Sequence, residues 1–307
     1  MKIKEAYSSY LKYCELKMKP QSLRSIKSRF NTYILPFLGN YEIDKFKPLD
    51  YLEWQNNMQN KGFKYSYLKS LHYANISLFN FCINFYDLEK NIPKIVGNFK
   101  NNYDHREVVF WDYKDFKKFI NYVDDPLYKA LFDFLYWTGC RLGETLALTW
   151  KDLNNDIVNI NKTISKEYIN GARVITSPKT KKSIRKIRID SKLGSELLQL
   201  QNNYIKNFAN FNNDFYIFGG DTPLSPSTIE RKKNKYCKLA DVRQIRLHDF
   251  RHCHASLLLS NNIPITAIAN RLGHSDINTT LNTYSHMLPE DEKRVINTLN
   301  SLKFKTI

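Results

Sequence analysis

Apolar residues recur at intervals of three and four along the first 96 residues, and helix-breaking pairs separate the recurrences. The periodic stretches are AYSSYLKYCEL, LRSIKSRFNTYILPFL and YLKSLHYANISLFNFCINFY. The breaks fall at Lys19-Pro20, Gly39-Asn40, Lys47-Pro48 and Lys61-Gly62. This spacing is typical of helices that bury one face. Residues 1–96 are therefore predicted to form a small bundle of about four helices.

A polar stretch without periodicity, GNFKNNYDHRE, covers residues 97–107 and is predicted to be a linker. A second domain, residues 108–307, then opens with two helical patterns, DYKDFKKFINYV and YKALFDFLYWTG. Strand-like alternation follows in DIVNINKTI, ARVITS and SIRKIRID. The fold class is therefore mainly α, with a three-stranded antiparallel sheet inside a mixed α+β second domain.

Helical patterns return after the sheet, and local signals mark their ends. Ser227 and Glu230 have the spacing of a capping box for STIERKKNKYCKLA. Pro264 opens PITAIANRL, and Gly273 closes it. A tail helix at about 290–303 carries an apolar stripe that needs a groove, either in its own subunit or in a neighbour. The stripe consists of Val295, Ile296, Leu299 and Leu302.

The charge balance narrows the class of partner. The 307 residues include 47 Lys plus Arg against 30 Asp plus Glu, a formal net charge of +17. Such a surplus favours polyanions, nucleic acid above all, although an acidic membrane surface would also fit. No apolar run approaches the roughly 20 residues of a membrane-spanning helix, and the amphipathic start MKIKEAYSSYLKYCELK lacks the apolar core of a signal peptide. We therefore expect a cytoplasmic protein.

The five cysteines are scattered and form no CxxC pair, so neither a disulfide framework nor a cysteine zinc site is indicated. Histidines offer a second route to zinc, because His248 and His252 in LHDFRHCH are four residues apart, with His254 close by. No HExxH glutamate accompanies them, and packing in the core is the commoner role for His252. No metal or other cofactor is therefore predicted.

Four stretches of the second domain carry candidate chemistry. In TGCRLGETLAL, Arg141 begins a helix, where a cation is unfavourable unless an anion is bound there too. The simpler role for Arg141 is an ion pair with Glu144. Arg141 could form this pair and bind an anion at the same time. In LHDFRHCH, His248 and Arg251 are three residues apart and share a helical face.

A basic hairpin, SPKTKKSIRKIRI, supplies the third stretch. Its charges are expected to contact phosphates or solvent, although one turn lysine could enter an active site as a proton donor. The last stretch, RLGHSDINTTLNTYSHM, holds His274 and Tyr284 and taken alone favours a DNA-binding helix-turn-helix. The basic residues predicted to contact DNA are Lys181, Lys182 and Arg185 of the hairpin and Lys64 and Lys69 of the bundle.

The chain resembles the tyrosine recombinase (phage integrase) family over nearly its whole length. The resemblance is carried by the order of Arg141, Lys179, the His248–Arg251 pair, His274 and Tyr284. Lys181 or Lys182 are alternatives for the family's hairpin lysine. The resemblance implies that residues 1–96 are a core-binding, SAM-like domain and residues 108–307 the catalytic domain. The two would close around a duplex.

The resemblance also implies the chemistry. Tyr284 would attack a DNA phosphodiester and form a 3′-phosphotyrosine linkage, which needs neither metal nor ATP. Arg141, Arg251 and His274 would bind the phosphate, with Glu144 supporting Arg141. His248 would accept the tyrosine proton, and Lys179 would protonate the leaving 5′ oxygen.

The implied partners are double-stranded DNA at an attachment or crossover site, a homo-tetramer on that DNA, and an accessory DNA-bending protein or excisionase. The amino-acid sequence of the motifs favours a mobile-element integrase over a Xer-type chromosome dimer resolvase. A helix-turn-helix regulator without chemistry and a type IB topoisomerase remain alternatives. The arm-binding domain that begins many larger integrases is not evident, which indicates either a shorter recombinase or a truncated chain.

Overall fold

The chain divides into two compact units, Met1–Glu107 and Val108–Ile307, and more than half of the residues that the structure describes are helical. The computed structural model describes residues 1–100, 110–169, 172–178, 180–284 and 296. Most of the predicted linker and all of the tail helix except Ile296 therefore lie outside the described residues. None of the helices within these ranges is both long and apolar enough to cross a bilayer.

The first unit contains the predicted bundle, and two of its main helices begin at a proline, which favours a helix start. Pro20 and Pro48 occupy the first turn of their helices, where the missing N–H leaves no hydrogen bond unmade. The helices are α1 Ile3–Lys17, α2 Pro20–Arg29, α3 Leu35–Leu38, α4 Pro48–Gln59, α5 Tyr65–Tyr86 and α6 Ile92–Val96. A π-helical turn at Phe30–Ile34 joins α2 to α3. The prediction of four main helices is thus confirmed, and α6 is a short addition.

The second unit is built around α8, most of whose side chains are buried. This helix packs against α7, α10 and α12, and its apolar run explains why it lies at the centre of the core. The helices of the unit are α7 Tyr113–Asn121, α8 Pro126–Thr138, α9 Leu142–Ala147, α10 Ser191–Asn207, α11 Pro226–Leu239, α12 Asp249–Ser260, α13 Ile265–Leu272 and α14 Ile277–Tyr284.

A three-stranded antiparallel sheet is present, but its strands differ from those predicted. The described strands are β1 Leu153–Asn154, β2 Ile157–Ile160, β3 Thr163–Ile169, β4 Ala172–Thr176 and β5 Arg185–Arg188. The sheet has the order β1-β2-β5, while β3 and β4 form a separate hairpin. The stretch DIVNINKTI thus divides between two sheets, and ARVITS does not pair with β5. Val158 of β2 and Ile187 of β5 are register partners in this sheet, and both side chains are buried. Strand β3 is not part of the sheet and packs against α9.

The capping box predicted at Ser227 and Glu230 is wrong. The helix begins earlier, with Ser225 as its N-cap and Pro226 in its first turn, so Glu230 lies one turn inside. Glu230 instead pairs with Lys233, with the two charged atoms 2.6 Å apart.

The predicted end of α13 is confirmed, because Gly273 adopts the left-handed conformation with φ of 70° that favours glycine.

Candidate active site

Arg141 lies at the N-cap of α9 and is paired with Glu144. Its Nη1 is 2.8 Å from Oε1 of Glu144, and its backbone N–H donates to Oε2 at 3.1 Å. The side chain of Arg141 is nevertheless 37% exposed. The ion pair and an accessible guanidinium therefore coexist, which leaves Arg141 able to bind an anion from outside.

Arg185 lies beneath this pair, and the prediction that it contacts DNA from a solvated face is corrected. Its side chain is only 7% exposed, and its Nη2 is 2.9 Å from Oε2 of Glu144. Its Nε donates to the carbonyl of Arg271 at 2.8 Å, which ties β5 to the end of α13. Burial would raise the pKa of Glu144, but Arg185 and Arg141 outweigh it and hold that pKa below its usual value.

Arg251 is held from two sides by backbone carbonyls. Its Nη1 donates to the carbonyl of Gly139 at 2.9 Å, and its Nη2 donates to that of Leu272 at 2.7 Å. The side chain is 3% exposed. Burial lowers the pKa of Arg251 to about 9, with Arg141 adding to the effect, so the guanidinium stays charged at neutral pH. A guanidinium has more N–H groups than these two bonds use, so Arg251 can still donate to an anion.

Gly139 combines the carbonyl that holds Arg251 with a backbone conformation that favours glycine. Its φ is 65°, and a Cβ at this position would lie 2.6 Å from the ring of His254 and 2.8 Å from Leu272. We expect Gly139→Ala to lower the free energy of unfolding by about 1–3 kcal/mol and to slow the DNA cleavage that the family resemblance implies, because the carbonyl that holds Arg251 must shift. Urea unfolding and a cleavage assay measure the two effects.

Gly194→Ala is the matched control for that substitution. Nothing lies within 4 Å of a Cβ at Gly194, which lies inside α10. Alanine there should leave cleavage unchanged and raise stability by up to about 1 kcal/mol. If Gly139→Ala matched this control in both measurements, the close packing around Gly139 would have no effect on stability or on the cleavage rate.

His274 follows the Gly273 cap and is oriented by α14. Its Nδ1 lies 2.6 Å from Oγ1 of Thr280, a buried hydroxyl. Partial desolvation, with the charges of Arg251 and Arg141 adding to it, lowers the pKa of His274 to about 4. The imidazole is therefore neutral at pH 7, with Nδ1 occupied and Nε2 available for a second bond.

Thr280→Val tests whether this contact orients His274. We expect DNA cleavage to slow by about 3- to 10-fold, which corresponds to one hydrogen bond of ordinary net strength. Thr266→Val is the control, because Thr266 is an exposed residue of α13. Equal single-turnover cleavage rates for the two variants would show that the Thr280 contact has no effect on the site.

These elements surround one cleft of about 360 Å³, called here the Arg141 cleft. Its lining residues are Arg141, Glu144, Thr163, Pro178, Thr180, Ser183, Gly273, His274 and Ser275. Lys179 lies outside the described residues, but its two chain neighbours both line this cleft.

The remaining basic residues occupy different places. The side chain of Lys181 also falls outside the described part of the molecule. Lys182 is exposed, and its Nζ donates to the carbonyl of Ser275 at 3.1 Å. Lys64 and Lys69 are exposed on the first unit, at the start of α5. Lys64, Lys69 and Lys182 are therefore accessible from solvent.

Tyr284 is the last residue described in α14, and it is buried. Its side chain is 3% exposed, and its hydroxyl lies 2.6 Å from Nδ1 of His252. Burial raises the pKa of Tyr284 well above its usual value, although Arg251 opposes the effect. The partner of the hydroxyl is thus His252 and not His248, and the expectation that His252 is a packed core residue is corrected.

His248 is the N-cap residue of α12 and is exposed at the surface. The surrounding protein still desolvates part of its ring and, with His252 and Arg251 nearby, lowers the pKa of His248 to about 4. The ring centroids of His248 and His252 are 5.3 Å apart. Within the described ranges, no group of three or more His, Cys, Asp or Glu side chains could hold a metal ion.

Sequence reasoning missed two residues of this site. The i, i+4 spacing of His248 and His252 was a signal that both rings lie on one face of α12, but it indicated zinc as readily as a role beside Tyr284. Arg185 gave no such signal, because a basic residue in a cluster of lysines and arginines is usually solvated.

Comparison with known proteins places this fold and site in a family. The model of the phage integrase family matches residues 111–291, and that of the phage integrase N-terminal SAM-like domain matches residues 2–59. The chain therefore belongs to the phage integrase family, and it is a tyrosine recombinase.

Individual relatives agree with this assignment. The ICEBs1 integrase of Bacillus subtilis (strain 168) is 30% identical over 303 residues, which cover 96% of this chain and 82% of the relative. The integrase of Staphylococcus phage L54a is 31% identical over 176 residues, 54% of this chain and 50% of its own. The fold resembles the Tn1549 transposon integrase bound to transposon right end DNA, with a TM-score of 0.81, 20% identity, and coverage of 98% of this chain and 100% of that one.

Proposed function

We propose that this recombinase integrates or excises a mobile element by cutting and rejoining DNA through Tyr284. The observation that carries the proposal is that Arg141 and His274 line the Arg141 cleft, while the charge of the buried Arg251 lies close enough to shift the pKa of both His274 and Tyr284. Three hydrogen-bond donors placed in this way suit a phosphodiester whose non-bridging oxygens gain charge during attack.

The reaction begins with attack of Oη of Tyr284 on phosphorus. A bond forms between that oxygen and phosphorus as the phenol loses its proton to a nearby imidazole, and the bond to the 5′ oxygen breaks. Arg141 and Arg251 donate to the non-bridging oxygens, and Nε2 of His274 adds a third donor. Lys179 supplies a proton to the leaving 5′ oxygen.

The product conserves the energy of the broken bond in a phosphotyrosine ester. A 5′-hydroxyl of another strand can therefore attack it, release the tyrosine and complete strand exchange without ATP. The substrate is double-stranded DNA carrying the ends of the element, and Lys182, Lys64 and Lys69 contact its backbone. The active assembly is a homo-tetramer on two sites, aided by a DNA-bending protein or excisionase, in the cytoplasm at the nucleoid.

The closeness of the ICEBs1 and phage integrases favours a mobile element as the substrate. A relative named as a XerC-like tyrosine recombinase of Caldanaerobacter subterraneus is 26% identical over 92% of this chain, and so a chromosome dimer resolvase is the second candidate.

A two-plasmid assay tests the proposed function. One plasmid carries the joined ends of the element and the other a target site, in buffer with EDTA and without ATP. We expect recombinant plasmid from the wild type and none from Tyr284→Phe, which should still bind the DNA.

Other outcomes would overturn the proposal. Recombination only between chromosomal dimer-resolution sites would favour a resolvase. Relaxation of supercoiled plasmids that lack any element end would indicate a topoisomerase. Site-specific binding without any strand cleavage would indicate a regulator.

A further inference from the structure

An imidazole contacts the hydroxyl of Tyr284 directly. Nδ1 of His252 lies 2.6 Å from Oη, and the two ring centroids are 5.8 Å apart. His252 is on the first turn of α12 and Tyr284 at the described end of α14, so two separate helices bring these groups together. A contact this short between a phenol and an imidazole is a hydrogen bond along which a proton can pass.

The surroundings of Tyr284 explain why a base is needed at that position. The ring packs in an apolar cluster formed by Ala255, Leu259, Ile268 and Leu272, and its side chain is 3% exposed. Bulk water therefore has little access to the hydroxyl. A phenol is a poor nucleophile until its proton leaves, and burial makes that loss harder by raising the pKa of Tyr284.

We propose that His252 is the group that takes the proton of Tyr284 as the phenol attacks DNA. This inference rests on the proposed function, because it requires Tyr284 to be the nucleophile. As the bond from Oη to phosphorus forms, the O–H bond breaks and its proton moves to Nδ1 of His252. In the rejoining step the tyrosine oxygen leaves phosphorus and recovers the proton from the same nitrogen.

The protonation state of His252 suits this role. Burial lowers the pKa of His252, so the ring is neutral at pH 7 and Nδ1 can accept a proton when Nε2 carries the hydrogen. The nearby charges are Asp249, which raises this pKa, and Arg246 and Arg251, which lower it. The other titratable contacts of the ring are His248 and Tyr284 itself.

His248 is less well placed for the same step. The His252 ring is the one that hydrogen-bonds Oη, and His248 packs edge-on against that ring with an interplanar angle of 86°. The exposed position of His248 at the start of α12 suits a contact with DNA phosphate instead. The two histidines therefore have different effects on the pH dependence of cleavage.

The test compares His252→Gln, His248→Gln and wild type in single-turnover formation of the covalent adduct on a nicked suicide duplex. Glutamine has a comparable length and can hold a hydrogen bond, but it does not take a proton near pH 7. We expect His252→Gln to slow adduct formation at pH 7 by about 10²-fold or more. Its rate should then rise about tenfold per pH unit as the tyrosine ionises without help, while the wild-type rate rises less steeply.

A second substitution keeps the test independent of any effect on folding. Replacing Tyr284 by 3-fluorotyrosine lowers the pKa of the phenol without changing its position. In the His252→Gln background this change should restore much of the lost rate, and in the wild type it should have little effect. A merely structural role for His252 would give no such rescue.

The other outcomes distinguish a failure of the proposed function from a failure of the role of His252. If the wild type forms no adduct, the proposed function fails. If the wild type forms adduct and His252→Gln is as fast or faster, or shows neither the steeper pH dependence nor the fluorotyrosine rescue, only the role of His252 is wrong. If His248→Gln alone shows the steep pH dependence, His248 is the proton acceptor.

Discussion

Arg251→Ala is expected to slow formation of the covalent adduct by about 10²–10³-fold, the usual effect of removing one preorganised donor to a transition-state oxygen. The carbonyls of Gly139 and Leu272 hold the guanidinium in place, and burial leaves little water to compete with a bound phosphate. A single-turnover cleavage assay at saturating protein measures the rate without contribution from DNA binding.

Two variants make this result specific. Arg251→Lys keeps the charge but loses the planar fork, and we expect it to remain well below wild type. Arg246→Ala is the matched control, because Arg246 lies just before α12 but is 66% exposed and pairs with Asp249. Equal rates for Arg251→Ala and Arg246→Ala would contradict the role of the buried guanidinium.

Glu144→Ala is expected to lower the free energy of unfolding by about 3–5 kcal/mol, because it leaves Arg185 buried without its counter-charge. The carboxylate bonds both Arg141 and Arg185, and the side chain of Arg185 is 7% exposed. Adduct formation should fall as well, since Arg141 loses the group that orients it. Urea unfolding of the second unit gives the stability change.

The pH dependence of that effect has a definite sign. The folded-state pKa of Glu144 lies below its usual value, so its stabilisation is present above that value and is lost as the pH falls through the folded-state pKa. The difference from wild type should therefore shrink in acid. Lys151→Ala is the control, because it removes a surface pair with Asp214 whose side chains are 60% and 70% exposed. A loss from Glu144→Ala no larger than that of Lys151→Ala would show that the buried network is not needed.

The helices were predictable because their signals are local. Apolar spacing marked α1 and α8, and Gly273 marked the end of α13 through a conformation that few other residues adopt. Pairing between β strands is not local. Nothing in DIVNINKTI indicated that Ile160 ends one strand and Thr163 begins another, because the partners that decide it, β5 and β4, lie further along the chain.

The same distinction applies to the candidate site. Arg141 with Glu144, and His248 with Arg251, were found because their spacing along one helix is enough to place them together. Arg185 was placed on the DNA surface because its burial depends on α9 and α13, which meet β5 only in the folded chain. His252 was assigned to the core because the hydroxyl that it contacts belongs to a helix 32 residues away.

The most direct test of the central claim is to map the covalent adduct. The protein is trapped on a nicked suicide duplex carrying the ends of its element, digested with trypsin and nuclease, and analysed by mass spectrometry. The account predicts a nucleotide joined through a 3′-phosphate to Tyr284, and no adduct with Tyr284→Phe. An adduct on any other residue, or an undiminished adduct in Tyr284→Phe, would contradict it.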